Sequence, residues 1–285
     1  MTTTPTQVTS ILTRTSGYLE SVASHSLQPY RGCALGHSLC GVACYVRHNR
    51  FVTHGREWGD FVEPRINAAA MYRRQYPRER MWARGRSRGK FCVFLSSSTE
   101  PFQPAETKYG VTRSVLEAMG ELPPDELIVQ THSHRVLDAA DVLCRVKSVC
   151  QVRVHISIES DRETLPGLPK PASPVERRVA AGLALRDKGI FTVATVAPLL
   201  PIENPECFFA SLQPAFDAVV IDHFIGGDGS ASGSRTRRTA LPQRMALVEP
   251  ASVTLAYRDQ IVAAARNFFN QVGVGCAGFA GVYSA

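Results

Sequence analysis

Cys33, Cys40 and Cys44 crowd into twelve residues, whereas Cys92, Cys144, Cys150, Cys207 and Cys276 are scattered. Thiolates are soft ligands, and three on one short loop suit a metal or an iron–sulfur centre. Three cysteines ligate three irons of a [4Fe–4S] cube and leave the fourth iron open. An open iron offers a place for S-adenosylmethionine to bind through its amino and carboxylate groups. Reductive cleavage there frees a 5′-deoxyadenosyl radical. A zinc site completed by His37, His48 or His54 is also chemically sound. Its usual spacing, two close ligands and two distant ones, is absent, and spacing alone leaves both metals open.

The scattered cysteines do not read as a disulfide framework; buried, small apolar residues are the expected role. Reduced thiols fit a cytoplasmic protein. The first thirty residues lack a basic stretch followed by an apolar one, so no secretory signal is expected. The longest apolar run, residues 190–202, is interrupted by Pro198 and Pro201 and is too short to cross a bilayer, so no membrane partner is expected.

These ligands need a scaffold. A chain of 285 residues with 44% hydrophobic content can bury a full core, and one α/β barrel-sized domain fits it. From residue 91 onward strand-like and helix-like runs alternate. Strands are expected at 91–95, 127–130, 152–158, 191–196 and 218–221, and helices at 107–119, 136–149, 174–188 and 205–216. Gly189 closes the third of these helices. A final helix is expected at 257–272, and a Gly/Ser/Arg segment at 225–238 reads as a mobile loop. With one more strand near 26–30, about six strand–helix units imply parallel strands, right-handed crossovers and an open or partial barrel. The polar residues after each strand then face the ligand.

The net charge of +7 favours a polyanionic partner. Arg73, Arg74, Arg78, Arg80, Arg84, Arg86, Arg88 and Lys90 concentrate that charge, with Tyr72, Tyr76 and Trp82 interleaved. Arg73, Arg74, Arg84, Arg86, Arg88 and Lys90 are the candidate nucleic-acid contacts, gripping phosphates while the rings stack on bases. A solvated helix face is the plainer reading. Arg235, Arg237 and Arg238 form a second basic knot.

Several segments, in order, resemble the radical S-adenosylmethionine superfamily, and within it the branch around spore photoproduct lyase. Gln28-Pro29-Tyr30-Arg31-Gly32-Cys33 is similar to that branch's Asn-Pro-Tyr-x-Gly-Cys approach to the cluster loop. Residues 98–106, Ser-Thr-Glu-Pro-Phe-Gln-Pro-Ala-Glu, resemble its Thr-Asp-Pro-Tyr-Gln-Pro-x-Glu. Gln130-Thr131-His132-Ser133 stands where Thr-Lys-Ser is common. The resemblance spans about residues 27–224. The superfamily spacing is three residues then two between cysteines; here it is six then three, an insertion of about four within residues 34–41, accommodated by a loop that bulges outward.

The resemblance implies a partial (β/α)6 TIM-like barrel over residues 26–225, flanked by an extension over 1–25 and a mobile loop and capping helix over 226–285. It implies a [4Fe–4S] cluster on Cys33, Cys40 and Cys44, with S-adenosylmethionine as cofactor. Ser98, Thr99 and Glu100 would receive its amino group, Ser157 and Glu159 its ribose or carboxylate, and Arg177, or Arg178 beside it, its carboxylate. The aromatic residue usually just before the third cysteine is replaced by Ala43, with Tyr45 following as the adenine platform. His132 and His134 lie near a strand end without an assigned role. Relatives use a cysteine near this region as hydrogen donor, but Ser97 falls there and Cys92 lies inside an apolar strand.

The implied activity is that of a radical lyase that repairs a DNA photoproduct, supplied with electrons by a reductase or flavodoxin-type donor. The competing expectations are the same chemistry on a small molecule, peptide or RNA, and a zinc-bound nucleic-acid-binding protein without catalysis.

Overall fold

A computed structural model describes residues 1–86 and 89–284, and Arg88 of the basic stretch lies outside the described residues. The main sheet has eight strands in sequential order: β1 (Leu12–Arg14), β2 (His25–Leu27), β3 (Cys92–Leu95), β4 (Glu126–Thr131), β5 (Gln151–Ser157), β6 (Phe191–Val196), β7 (Ala218–Ile221) and β8 (Val272–Val274). β1 runs antiparallel to β2, and all the other neighbours are parallel. β1 and β8 do not pair with each other, so the sheet is open.

Alternation along each strand sorts side chains to two faces. Val93, Leu95, Leu127, Val129, Val219 and Ile221 join the cluster under the helices. Cys92, Phe94, Ile128, Val193, Ala218 and Val220 point to the opposite face, covered by Val22, Ala23 and Phe279. Both faces are apolar because helices and returning loops bury them, as parallel sheets require. Each such Val, Leu or Ile contributes about 1.5–3 kcal/mol on full burial.

The longer helices are α1 (Ala68–Arg84), α2 (Val111–Glu121), α3 (Ala140–Lys147), α4 (Val175–Asp187), α5 (Pro205–Leu212), α6 (Leu241–Val248) and α7 (Leu255–Arg266). Between β2 and β3 the chain adds the cysteine loop and two strands, Tyr30–Gly32 and Phe61–Pro64, which form a small sheet with Thr2–Thr3. Among the described residues no helix is long and apolar enough to cross a membrane.

Four elements differ from expectation. The helix expected at 107–119 breaks at Gly110, whose φ of 56° is left-handed, separating the single turn Glu106–Tyr109 from α2. Glu106 stabilises the break by accepting from the Thr112 and Arg113 N–H groups at 3.0 and 2.9 Å, two donors that the first turn of α2 leaves unpaired. The helix expected at 136–149 begins as a 3-10 segment, His134–Ala139, before α3. The final helix ends at Arg266, and residues 272–274 form β8 instead. Glycine is required there: a Cβ on Gly273 would lie 2.5 Å from the Gly278 Cα. The sheet thus draws β1 and β8 from outside residues 26–225. The segment expected as a mobile loop is folded around Asp228, which accepts from the Ser230 and Thr236 N–H groups at 2.9 and 2.7 Å.

Candidate active site

The two motif segments clasp each other. Gln28 Nε2 donates to Ser97 Oγ at 2.7 Å, and its Oε1 accepts from the Ser98 N–H and Thr99 Oγ1 at 3.3 and 3.4 Å. Tyr30 Oη donates to Glu106, and Gln103 Oε1 accepts from the Ala34 N–H at 2.9 Å. Residues 28–34 and 97–106 are therefore one bonded unit, which ties the cysteine loop to the end of β3. At that end Ser96 has a φ of 71°, left-handed and uncommon for a non-glycine residue, and its buried Oγ has no partner among the described residues.

A cavity of about 510 Å³ opens at the C-terminal ends of β3 to β7, where parallel α/β folds place their ligands. Cys33, Cys40, Cys44 and Tyr45 line one side; Ser96, Ser97, Ser98, Thr99, Glu100, Gln130, His132, Ser157 and Asp222 line the rest. Burial pushes the Cys33 thiol up to about 12 and Cys44 to about 11, and raises Cys40 as well. The Cys44 thiolate raises both Cys33 and Cys40 further, and Cys33 adds to the rise at Cys40. Ionising all three therefore calls for a cation among them, and soft iron suits a set of sulfur donors. Among the described residues no group of three or more His, Cys, Asp or Glu side chains is drawn close enough to hold a metal ion.

The cysteine loop does not bulge outward. Gly36 is buried; a Cβ there would meet the Gly59 backbone at 2.3 Å, and one on Gly41 would meet Gly36 at 2.2 Å. Leu39 anchors the loop among Leu165, Leu200 and Phe224. His37 pairs with Asp60 at 2.8 Å and His54 with Arg31 at 2.9 Å. Neither they nor His48 line the cavity, so the structure brings no predicted histidine to the three thiols.

The polar floor is a bonded network. Glu100 accepts from Thr131 Oγ1 at 2.6 Å, the His132 N–H at 2.7 Å and the Phe102 N–H at 3.0 Å. Burial still lifts its carboxyl above the usual range, against the pull of His132 and these donors. Glu159 contacts His132 Nδ1 at 2.9 Å and Arg178 Nη1 at 2.7 Å. Burial pushes Glu159 up, but Arg178 and His132 reverse that and hold it well below the carboxylate range. Ser157 Oγ accepts from Gln130 Nε2 at 2.9 Å and lies 3.3 Å from His132 Nε2. Gln130 Oε1 is buried and unpartnered among the described residues. With Ser96 Oγ it leaves two cavity-lining polar atoms to be satisfied by a ligand or ordered water.

Of the predicted cofactor residues, Tyr45, Ser98, Thr99, Glu100 and Ser157 line the cavity, and Glu159 stands behind His132. Tyr45 Oη donates to the Ser97 carbonyl at 3.1 Å. Arg177 is exposed and does not line it; Arg178, one position on and about 100° around α4, is the buried residue that meets Glu159. His134 bonds Ser173 at 2.8 Å, outside the cavity.

Among the described residues, none of the predicted nucleic-acid contacts lines the cavity. Arg73 pairs with Glu121 at 2.7 Å, Arg84 with Asp125 at 2.6 Å and Lys90 with Glu126 at 2.6 Å. Arg74 donates to the Thr9 carbonyl and Arg86 sits 4.6 Å over Trp82. Tyr72 is fully buried and Tyr76 donates to the Pro123 carbonyl. The acids that pair with Arg73, Arg84 and Lys90 come from distant residues, which local composition does not display.

Sequence reasoning missed Asp222 and Tyr18, both on the cavity wall, and noted Arg235 only as part of a basic knot. Asp222 follows β7 directly, a position at a strand's C-terminal end that could have flagged it. Tyr18 lies in the N-terminal extension, where no pattern points inward.

No protein-family profile matches the sequence, and no curated protein matches it. The fold is similar to that of spore photoproduct lyase, a radical S-adenosylmethionine enzyme. A double mutant of that enzyme with bound AdoMet and dinucleoside spore photoproduct is 13% identical, with a TM-score of 0.60 over 88% of this chain and 76% of that one. A single mutant is 15% identical at 0.60, and the enzyme complexed with dinucleoside spore photoproduct is 13% identical at 0.59, both with the same coverage.

Proposed function

We propose that this chain is a radical S-adenosylmethionine enzyme, a lyase-type catalyst acting on a DNA photoproduct. The observation that carries this is the meeting of Cys33, Cys40 and Cys44 with the 98–100 turn in one cavity at the strand ends, on a fold shared with spore photoproduct lyase. The open sheet reads as the partial barrel of that superfamily, with its core over 26–225. Three thiols with none of the predicted histidines in the cavity lining suit a cluster with one open iron better than a zinc site closed by four protein ligands.

Cys33, Cys40 and Cys44 would hold a [4Fe–4S] cluster, which when bound supplies the electron that cleaves S-adenosylmethionine to a 5′-deoxyadenosyl radical. The chain's own residues bind and orient. Ser98 and Thr99 present hydroxyls toward an ammonium, and Glu100, pinned by three donors, sets their turn. Ser157 and the Glu159–His132 pair present acceptors toward ribose hydroxyls. Tyr45, held by the Ser97 carbonyl, offers a ring face to adenine. Phe94, Trp58 and Phe279 keep part of the wall apolar and limit water near a reactive intermediate. A cytoplasmic location and a flavodoxin-type electron donor complete the proposal.

The test is anaerobic reconstitution followed by reduction in the presence of ultraviolet-irradiated DNA. Brown protein with about four irons per chain, release of 5′-deoxyadenosine and recovery of thymine support the reading. Colourless protein holding one zinc overturns it. Cluster and 5′-deoxyadenosine without thymine recovery overturn the substrate and leave the radical chemistry.

A further inference from the structure

Several arginines on the outer helices are matched with acids: Arg73 with Glu121, Arg84 with Asp125, Arg113 with Asp141 and Arg186 with Asp217. Others there, Arg74 and Arg177 among them, are not, and neither is a group of four around Arg235, which lines the cavity. Among the described residues Arg47, Arg235, Arg237 and Arg238 have no acidic side chain within ion-pair distance. Arg235 donates to the Asp228 carbonyl at 3.2 Å, Arg237 to the Ser232 carbonyl at 3.1 Å, and Arg47 to the Val42 carbonyl at 3.3 Å.

Their placement is specific. The Arg235 guanidinium lies 6.0 Å from the Tyr45 ring and that of Arg237 lies 5.4 Å from the Phe224 ring, and both rings line the cavity. Arg47 and Arg238 lie near each other through His48, whose pKa the charge of each lowers after burial has done so. The nearest acid of the loop, Asp228, spends its carboxylate internally on Ser230 and Thr236, so it holds the loop's shape without neutralising its outer face. Arg235, Arg237 and Arg238 are exposed and project from one short turn, Thr236–Arg238 and its flank.

We propose that this rim, Arg47 with Arg235, Arg237 and Arg238, carries the phosphodiester backbone of the DNA strand whose modified base enters the cavity. Forked guanidinium donors match phosphate oxygens, and a row of them without acidic partners keeps that capacity for a ligand. Backbone contacts on the rim position a strand, and the recess beneath takes a base out of its stack. The inference deepens the DNA reading of the same cavity and rests on it. It moves the nucleic-acid contact from the basic stretch at 73–90 to the loop at 225–238.

The experiment is fluorescence anisotropy of a labelled twelve-nucleotide thymidine oligomer, titrated with the full-length chain across a salt series, beside an RNA oligomer of the same length. Each lost phosphate contact removes about 0.7 from the slope of log affinity against log salt for a single strand. Arg237→Glu with Arg238→Glu should therefore lower the slope by about 1.4 and weaken binding at least about tenfold at low salt. Arg74→Glu with Arg86→Glu should leave the slope as it is in the native chain. Thermal unfolding of each variant confirms that it is folded; if the charge reversal unfolds the chain, Arg238→Gln alone should still lower the slope by about 0.7. A native chain that binds DNA with a slope untouched by the rim variants overturns the rim alone. A native chain that binds neither oligomer at low salt overturns the rim and the DNA reading together. RNA bound more than tenfold tighter than DNA overturns DNA as the source of the phosphates.

Discussion

Tyr18 Oη donates to Asp222 Oδ2 at 3.1 Å across 204 residues of sequence. The bond joins the segment after β1 to the end of β7, two sides of one cavity. Burial pushes the Asp222 carboxyl up to about 7, although the Tyr18 bond and Arg258 oppose it. Its neighbours thus fail to compensate fully for the water it has lost.

A pH dependence of stability follows. The folded value lies above the ordinary one of 3.8, so the folded state binds this proton more tightly. The associated stability is fully present below pH 4 and is lost as pH rises through 7. Asp222→Asn removes this contribution. The difference in unfolding free energy between native and variant chains should shift by up to about 4 kcal/mol in the variant's favour between pH 4 and 8. Urea unfolding at a series of pH values reads it, and parallel pH profiles for the two chains would refute it.

Arg178 and Glu159 form a pair with almost no exposure, 1% and 8% at the side chains. Removing one member strands a buried charge. Arg178→Met should cost about 3–5 kcal/mol, and adding Glu159→Gln should recover part of it because the unpaired charge disappears. A double-mutant cycle by urea unfolding measures the coupling; additive losses would show that the two groups act independently. Arg177→Met, at the exposed neighbouring position, should change stability by less than about 0.5 kcal/mol.

That one-residue displacement shows where sequence reasoning stops. The strands at 191–196 and 218–221 were legible to the residue, because short apolar runs between turn signals have few alternatives. Cys33, Cys40, Cys44 and Ser98-Thr99-Glu100 reach one cavity, and the Gln28 and Tyr30 bonds explain why their motifs occur together. Choosing between Arg177 and Arg178 needed the rotational phase of α4, which weakly amphipathic residues leave undetermined. The basic stretch at 73–90 shows a second limit: Arg73, Arg84 and Lys90 are paired with Glu121, Asp125 and Glu126, partners brought in by tertiary packing. Residues 272–274 pair with β7 at a distance that local periodicity does not report.

Glu106 links two of these levels. Its carboxylate caps the first turn of α2 and accepts the Tyr30 hydroxyl. Glu106→Ala leaves the Thr112 and Arg113 N–H groups and a buried phenol without that acceptor. The loss should be about 2–3 kcal/mol, a cap and a buried hydrogen bond together. Tyr30→Phe should cost only about 1 kcal/mol, because the caps remain. Equal losses for the two variants would mean that the caps contribute nothing.

The thiols give the functional prediction. Cys33→Ala, Cys40→Ala and Cys44→Ala should each abolish the iron–sulfur absorption of reconstituted protein and the release of 5′-deoxyadenosine, since each would withdraw one iron's protein ligand. Cys207→Ala, an exposed cysteine on α5 away from the cavity, should retain both. The three losses should not act through unfolding. Before metal is added, each thiol is a small apolar group, buried at Cys33 and half-buried at Cys40 and Cys44, and its replacement by Ala should cost no more than about 1–2 kcal/mol. Thermal unfolding of the metal-free chains separates the two effects. Full cluster content in Cys40→Ala would remove Cys40 from the ligand set, and the long spacing before it would then belong to the loop's packing through Gly36 and Leu39 alone.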